Sequence, residues 1–229
     1  MSRCGESGGR EVVNLGGAVY AELCERLVRG RFLPDDRLKI RELATSLGTS
    51  VTPVRDAVLR LVQDNALVMR SQRDIRVPRL TAEEYHEIRV IRMTLEGLAV
   101  EAAARHADAA LIETLGDVIA RTAEAIEQGD FTMAAELNQR FHFHLVEGAR
   151  MPMLRRILQR LWLQMGPLIA DANHTLGPQT IVHHEGIVAA IARGDGEAAA
   201  AAVRGDILAG GEPILQRMRE LAHPSAPAA

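Results

Sequence analysis

The sequence contains few aromatic residues and few cysteines, and it has no long apolar run. Aromatic residues make up 3% of the 229 positions, which argues against binding of single-stranded nucleic acid by base stacking. Two cysteines, Cys4 and Cys24, exclude a disulfide framework or a metal knuckle, and we expect Cys24 to pack inside a first helix. No apolar stretch reaches the length of a membrane span, and the start MSRCGESGGR lacks the apolar region of a signal peptide. We therefore expect a cytoplasmic protein without a membrane partner.

Charge is distributed unevenly along the chain. The net charge of −3 at pH 7 argues at first against a nucleic-acid partner. Residues 1–80, however, hold 14 Lys and Arg against 10 Asp and Glu, whereas residues 81–229 hold 13 against 20. A positive N-terminal part within an acidic protein is the distribution that binding to DNA phosphates requires.

Within that part, residues 37–61 have the pattern of two short amphipathic helices joined by a tight turn. Gly48 is placed to end the first helix, because glycine adopts the left-handed cap conformation without steric cost. The second helix repeats apolar residues at i, i+3, i+4 and i+7, namely Val54, Ala57, Val58 and Leu61. The pattern predicts a helix-turn-helix, whose second helix enters the major groove of DNA by its N-terminal end. An ordinary helical hairpin without a ligand is the alternative.

The start of the second helix carries candidate caps and candidate contacts to DNA. Ser50 or Thr52 can cap this helix, and Pro53 is tolerated in its first turn, where no helical acceptor is needed. Arg55 points outward and can reach a guanine edge or a phosphate. Arg41 can contact a base or the DNA backbone.

This segment resembles the recognition segment of the GntR family of bacterial transcription regulators. The pattern Ser-x-Thr-Pro-Val-Arg-x-Ala is characteristic of that family, and it is matched here by Ser50, Thr52, Pro53, Val54, Arg55 and Ala57. The resemblance implies that double-stranded DNA is the partner. Val51 stands where the family often has a base-reading arginine, which implies an altered operator preference with DNA binding retained.

A winged hairpin is expected to follow the helix-turn-helix. Residues 66–70 and 74–77 have the pattern of two short strands across a polar turn. In GntR-like proteins the tip of the wing reaches the minor groove, and Arg73 is its best candidate here. Asp74 stands about where the wing usually has glycine. With residues 1–12 expected to be disordered, these elements predict a DNA-binding domain at residues 13–79, built from three helices and a small β-hairpin.

Helical periodicity replaces the strand pattern from Thr81 onward. Thr81 and Glu84 have the spacing of a capping box, and six helices are expected within residues 80–222, at about 81–105, 109–128, 131–149, 152–172, 181–193 and 196–221. This all-α bundle resembles the FCD effector-binding domain of the FadR subfamily, in its VanR-like six-helix form. The predicted fold class is mostly α, a winged helix-turn-helix followed by a helical bundle, with a loose tail at 223–229.

The resemblance also implies a divalent metal in the bundle, held at positions that correspond here to Asn138, His142, His184 and Asp206. Asn138 replaces the usual aspartate, and Asp206 replaces a usual histidine. Two neutral imidazoles with one carboxylate suit zinc, nickel or a manganese-like ion. The alternative is that both histidines are hydrogen-bonded polar groups lining a pocket. His144 and His183 are expected to face elsewhere, and His174 is expected in a loop.

Arg92 is the candidate for binding an effector. Related regulators carry an arginine here that pairs with the carboxylate of a small molecule, and a guanidinium can bind a carboxylate through two hydrogen bonds. The alternative is a salt bridge, for instance with Glu96 at i+4.

Taken together, these features predict a homodimeric repressor that binds a palindromic operator and responds to a small organic acid, with a divalent metal as a possible cofactor. Two alternatives stay open. One is an architectural DNA binder without a working effector site. The other is a helical metalloenzyme with Glu185 or Asp206 as its base, although the sequence supplies no nucleophile and no cofactor loop.

Overall fold

The computed structural model of the chain describes residues 15–171 and 177–222. The N-terminal segment 1–12, the tail 223–229 and the loop residue His174 lie outside the described residues. Within the described residues, no helix combines the length and the apolar character needed to cross a bilayer.

The N-terminal part is a winged helix-turn-helix. It consists of α1 (Leu15–Val28), β1 (Arg37–Leu38), α2 (Ile40–Ser46), α3 (Val51–Gln63), β2 (Val68–Ser71) and β3 (Asp74–Arg76). The expected hairpin of β2 and β3 is present, but the sheet also contains a third strand, β1, that was not expected from the sequence. The strands are antiparallel in the order β1-β3-β2, with Ile75 opposite both Leu38 and Met69.

The turn between α2 and α3 follows the predicted geometry except for the cap. Gly48 has a φ of 61°, the left-handed conformation in which glycine ends a helix. Ser50 occupies the N-cap position of α3, but its side chain makes no capping hydrogen bond, and Thr52 lies inside the helix. The predicted side-chain cap was therefore wrong. Packing holds α3 instead, because Val54 and Val58 are completely buried.

The second part is a bundle of α-helices. Its members are α4 (Ala82–His106), α5 (Ala109–Glu127), α6 (Phe131–Gly148), α7 (Pro152–Asp171), α8 (Pro178–Ala192) and α9 (Gly196–Ala222). The capping box at the start of α4 is confirmed: Glu84 N–H donates to Thr81 Oγ1 at 3.2 Å, and Thr81 N–H donates to Glu84 Oε2 at 2.8 Å. The long helices α4 and α9 pack along each other. Helix α6 packs on α4, and α8 packs on α9.

Helix α7 connects the bundle to the winged head. It packs on α1, and Leu163 of α7 is part of the hydrophobic core of the head. A Cβ at Gly166 would lie 2.6 Å from the Cα of Val28, so glycine permits the close approach of the two helices. Arg160 Nε lies 2.9 Å from Oδ1 of the buried Asp64, the residue that follows α3. The end of α3 is thus tied to the bundle.

Candidate functional site

The winged head presents a groove between α2, α3 and the wing. Arg41, Val51, Arg55 and Arg73 all line this groove, and all four are exposed. Ser50 and Thr52 are exposed beside them, whereas Pro53 is half-buried within the helix. The structure therefore brings the predicted DNA-contacting residues to one surface.

Arginine and aspartate side chains hold the wing in place. Arg37 Nε donates to the carbonyl oxygen of Arg73 at 3.2 Å. Asp74 accepts a hydrogen bond from Arg76 Nε at 2.8 Å, and its Oδ1 lies 3.7 Å from Arg37 Nε. The carboxylate that stands in place of glycine thus ties β3 to β1, and it leaves the Arg73 side chain exposed at the tip.

A second candidate site lies inside the bundle. A cavity of about 270 Å³ is bordered by residues from α4, α6, α8 and α9, and it includes Arg92, Asn138, His142 and Asp206. Its other polar lining residues include Tyr85, Gln179, Thr180 and His183. His183 was expected to face away from the site, and that expectation was wrong: His183 lines the cavity, whereas His184, the next residue of α8, is not among its lining residues.

Three of the predicted metal ligands converge beside this cavity: His142 and Asp206 line it, and His184 lies next to them. His142 Nε2 lies 3.3 Å from Asp206 Oδ2, and His184 Nε2 lies 3.6 Å from Asp206 Oδ1. One ligand atom from each residue falls within 4.8 Å of the others, close to the spacing that a single ion with bonds of about 2.0–2.2 Å requires. Asn138 lines the same cavity one turn before His142 on α6.

His184 is the residue that best indicates a missing partner. Its side chain is 0% exposed, and among the described residues neither ring nitrogen has a hydrogen-bond partner. The ring stacks on Phe141 with centroids 3.8 Å apart. Burial lowers its pKa to about 3, so the imidazole is neutral. A buried polar group without a partner is costly, and a neutral imidazole is the form that binds a metal.

Glu96 contacts more than Arg92, the one partner expected for it from the sequence. Glu96 is 1% exposed, and its two oxygens accept from different groups: Oε1 from Arg92 Nε at 2.6 Å and Oε2 from His142 Nδ1 at 2.8 Å. Burial opposes its ionisation, but the positive charges of Arg92 and His142 lower its pKa to about 2. The i+4 spacing showed the first contact, whereas no sequence pattern showed the second.

His142 lies between two carboxylates. Burial alone would lower its pKa, but the charge of Glu96 and the hydrogen bond with Asp206 raise it to about 9. Burial likewise opposes ionisation of Asp206, while the hydrogen bond and charge of His142 lower its pKa. Without a metal, the protonated His142 therefore supplies the positive charge between these carboxylates. A metal ion bound to His142 and Asp206 would supply this positive charge in place of the proton.

Arg92 makes the salt bridge that the sequence left open as an alternative, and it also borders the cavity. Its guanidinium carbon lies 4.2 Å above the Trp162 ring, and Nη1 lies 4.0 Å from Met165 Sδ. Both contacts come from α7. The enzyme alternative loses one of its two candidate bases, because Glu185 is exposed and is not among the residues that line the cavity.

A winged helix-turn-helix head with a basic groove, joined to a helical domain, defines the class of DNA-binding transcription regulators. The sequence matches the family described as "Bacterial regulatory proteins, gntR family" over residues 15–77 and the FCD domain over residues 87–209. The chain belongs to the GntR family of regulators that carry an FCD domain. The relatives and the solved structure that it matches at 28% identity or more are described as transcription regulators.

Several characterised and uncharacterised regulators resemble the chain in sequence. It is 31% identical over 166 residues to the HTH-type transcriptional regulator McbR of Escherichia coli (strain K12). The aligned region covers 72% of this chain and 75% of McbR. It is 30% identical over 174 residues to the "Probable D-xylose utilization operon transcriptional repressor" of Paenarthrobacter nicotinovorans, covering 76% of each.

Solved structures agree with this assignment. E. coli McbR/YncC superposes with a TM-score of 0.84 at 28% identity, over 90% of this chain and 99% of that one. A GntR regulator from Rhodococcus sp. RHA1 shares the fold with a TM-score of 0.74 at 20% identity, over 88% and 97% of the two chains.

Proposed function

We propose that this regulator is a homodimeric repressor whose affinity for a palindromic operator is changed by a small organic acid, bound in the bundle beside a divalent metal. The observation that carries the proposal is His184, a neutral, fully buried imidazole beside Asp206 that has no hydrogen-bond partner among the described residues. Its ring nitrogens need a ligand, and the nearest groups have the chemistry of a metal site.

The metal would be held by His142, His184 and Asp206. Two imidazoles and one carboxylate suit zinc, nickel or a manganese-like ion and leave coordination positions open. Asn138 adds a neutral oxygen donor to the same cavity wall. Such an ion would supply positive charge and open positions that attract a carboxylate.

Arg92 supports an acidic effector because it lines the cavity and two neighbours orient its guanidinium. Glu96 holds Nε, and Trp162 covers one face of the guanidinium. A ligand changes DNA binding only if it favours one arrangement of the heads over another. The contacts of Arg92 with α7, the helix that reaches the head, provide a physical connection between the two sites.

A homodimer is supported by an exposed apolar surface on α4 and α7. These two helices pack together, and their outer sides expose Ile91, Leu98, Met153 and Ile157. Burying this surface against a second copy would place two heads together, each reading one half of a palindrome. Repression, rather than activation, follows the relative from P. nicotinovorans that is named as a repressor. The protein would act in the cytoplasm, where bacterial DNA lies.

The test is removal of both imidazoles in the His142→Ala/His184→Ala double variant. We expect the native protein to take up one divalent ion per chain and to gain thermal stability on adding Zn²⁺, Ni²⁺ or Mn²⁺, and the double variant to do neither. His144→Ala is the matched control, since His144 is half-exposed on α6 and pairs with Glu147. A panel of small mono- and dicarboxylic acids is then added to the metal-loaded protein in an operator shift assay.

Two results would contradict the proposal. Metal uptake by the double variant equal to that of the native protein would remove the site from this cavity. Unchanged operator affinity with every metal and acid, in a protein that binds its operator tightly, would favour the architectural DNA binder.

A further inference from the structure

The start of the recognition helix α3 exposes one apolar side chain among polar ones. Val51 is the first residue of α3, and its side chain is 38% exposed, whereas Val54 and Val58 on the same helix are 0% exposed. Its exposed neighbours Ser50, Thr52 and Arg55 all carry hydrogen-bonding groups. Val51 is therefore not part of the core of the head.

Exposure alone would mean little, because single apolar residues are common on protein surfaces. The position of Val51, at the N-terminal end of α3, indicates a contact with DNA. A recognition helix contacts base edges through the residues at its N-terminal end, and Val51 lines the same groove as Arg41, Arg55 and Arg73.

The chemistry of valine limits what it can recognise there. Its side chain has no donor and no acceptor, so it cannot bond to the nitrogen and oxygen atoms on the base edges. The one methyl group on the major-groove edge of the standard base pairs is the C5 methyl of thymine, and apolar side chains contact it.

We propose that Val51 reads a thymine methyl group, and so specifies an A·T pair in each half of the operator. The proposal rests on the placement of α3 in the major groove, which belongs to the proposed function, and it is independent of the metal and the effector. Arg41 and Arg55, which line the same groove, would supply hydrogen bonds to guanine or to phosphates. Val51 would supply the apolar contact.

The experiment begins with a binding site selected by the full-length protein from a library of random duplexes. Each thymine of the selected half-site is then replaced in turn by uracil, which lacks the methyl group and keeps the hydrogen bonds. We expect one replacement to weaken binding about three- to fivefold, the effect of losing contact with one methyl group. Val51→Ala should bind the thymine and uracil duplexes equally.

Two controls test the assignment to this side chain. Val51→Thr keeps a methyl group at the same place and should keep most of the discrimination. Leu59→Ala removes another exposed apolar side chain of the same groove and should leave the discrimination unchanged. At the sensitive position, 5-methylcytosine opposite guanine should bind better than cytosine opposite guanine, because it restores the methyl group.

The possible failures are distinguishable. If the protein selects no sequence from the library, the proposed function as an operator-binding regulator fails. If a site is selected but no uracil replacement matters, or if Val51→Ala still discriminates between thymine and uracil, only the role of Val51 is overturned.

Discussion

Glu96 connects the two charged parts of the cavity through a single carboxylate. It lies 2.6 Å from Arg92 Nε and 2.8 Å from His142 Nδ1. A carboxylate on the second nitrogen of a metal-ligating histidine fixes the tautomer and the orientation of the ring. Here it turns Nε2 of His142 toward Asp206. In the proposed site, Glu96 therefore positions the metal ligand and the effector arginine together.

Replacing this carboxylate tests that role. Glu96→Gln keeps the shape of the side chain but removes the charge that Arg92 and His142 share. We expect the affinity for Zn²⁺ to fall about 10- to 100-fold, measured by competition with a chromophoric chelator. Glu87→Gln changes an exposed glutamate of the same helix and should bind Zn²⁺ as the native protein does. Equal affinity in the two variants would show that Glu96 does not position His142.

At the scale of residues, the candidate metal ligands could be predicted from the sequence, whereas the residue that orients one of them, Glu96, could not. The resemblance pointed to Asn138, His142, His184 and Asp206; the structure brings the last three together, and Asn138 lines the neighbouring cavity. The contact between Glu96 and His142 joins residues 46 positions apart, and only the packing of α4 on α6 creates it. A local spacing such as i, i+4 is visible in a sequence, but a contact between two helices is not.

At the scale of elements, α7 touches both sites. Trp162 and Met165 contact Arg92 at the cavity. Leu163 and Arg160 contact the head, where Arg160 pairs with Asp64 at the end of α3. Tyr20 of α1 donates a hydrogen bond to the same aspartate at 2.6 Å. A movement of α7 caused by a ligand at Arg92 would therefore shift Arg160 and with it the contact to Asp64 at the end of the recognition helix α3.

Arg160→Ala tests this connection. The variant leaves the buried Asp64 with Tyr20 but without its cation, so we expect the free energy of unfolding to fall by about 1 kcal/mol. We also expect the metal or acid that changes operator affinity in the native protein to have a smaller effect in the variant. Urea denaturation and a shift assay with and without the ligand measure the two quantities.

Arg156→Ala is the matched control for this substitution, because Arg156 is exposed on the same helix. It should change neither the free energy of unfolding nor the response. A full ligand response in Arg160→Ala would mean that the signal reaches the head by another route.

Elements differ in how well the sequence predicts them. The helices of the bundle were placed to within a few residues, because long amphipathic periods and caps such as Thr81 mark them. Strand β1 was missed, since two residues, Arg37 and Leu38, are too few to show a strand pattern in the sequence. It becomes a strand only because β3 provides a partner, with Leu38 opposite Ile75. The cap at Ser50 was wrong for a related reason: packing of Val54 and Val58 holds α3 without it.

At the scale of the whole molecule, the winged head and the helical bundle differ in the sign of their net charge. Residues 1–80 carry a positive balance of 14 basic against 10 acidic residues, and residues 81–229 carry 13 against 20. An acidic bundle is repelled by DNA, so the phosphate contacts fall to the heads. A single small head offers few contacts, so in the proposed dimer the second head would supply much of the affinity for the operator.

The apolar surface on α4 and α7 is where that joining should occur. Ile157→Glu would place a charge in the contact between two copies, and we expect the molecular mass in sedimentation equilibrium to fall from twice 25.0 kDa to 25.0 kDa. Affinity for a palindromic duplex should fall about 10²- to 10⁴-fold, because the second head no longer binds at high effective concentration. Val182→Glu introduces the same charge at an exposed apolar residue of α8 and should stay dimeric. A dimer that survives Ile157→Glu would place the interface elsewhere, whereas a native monomer would remove the basis for a palindromic operator.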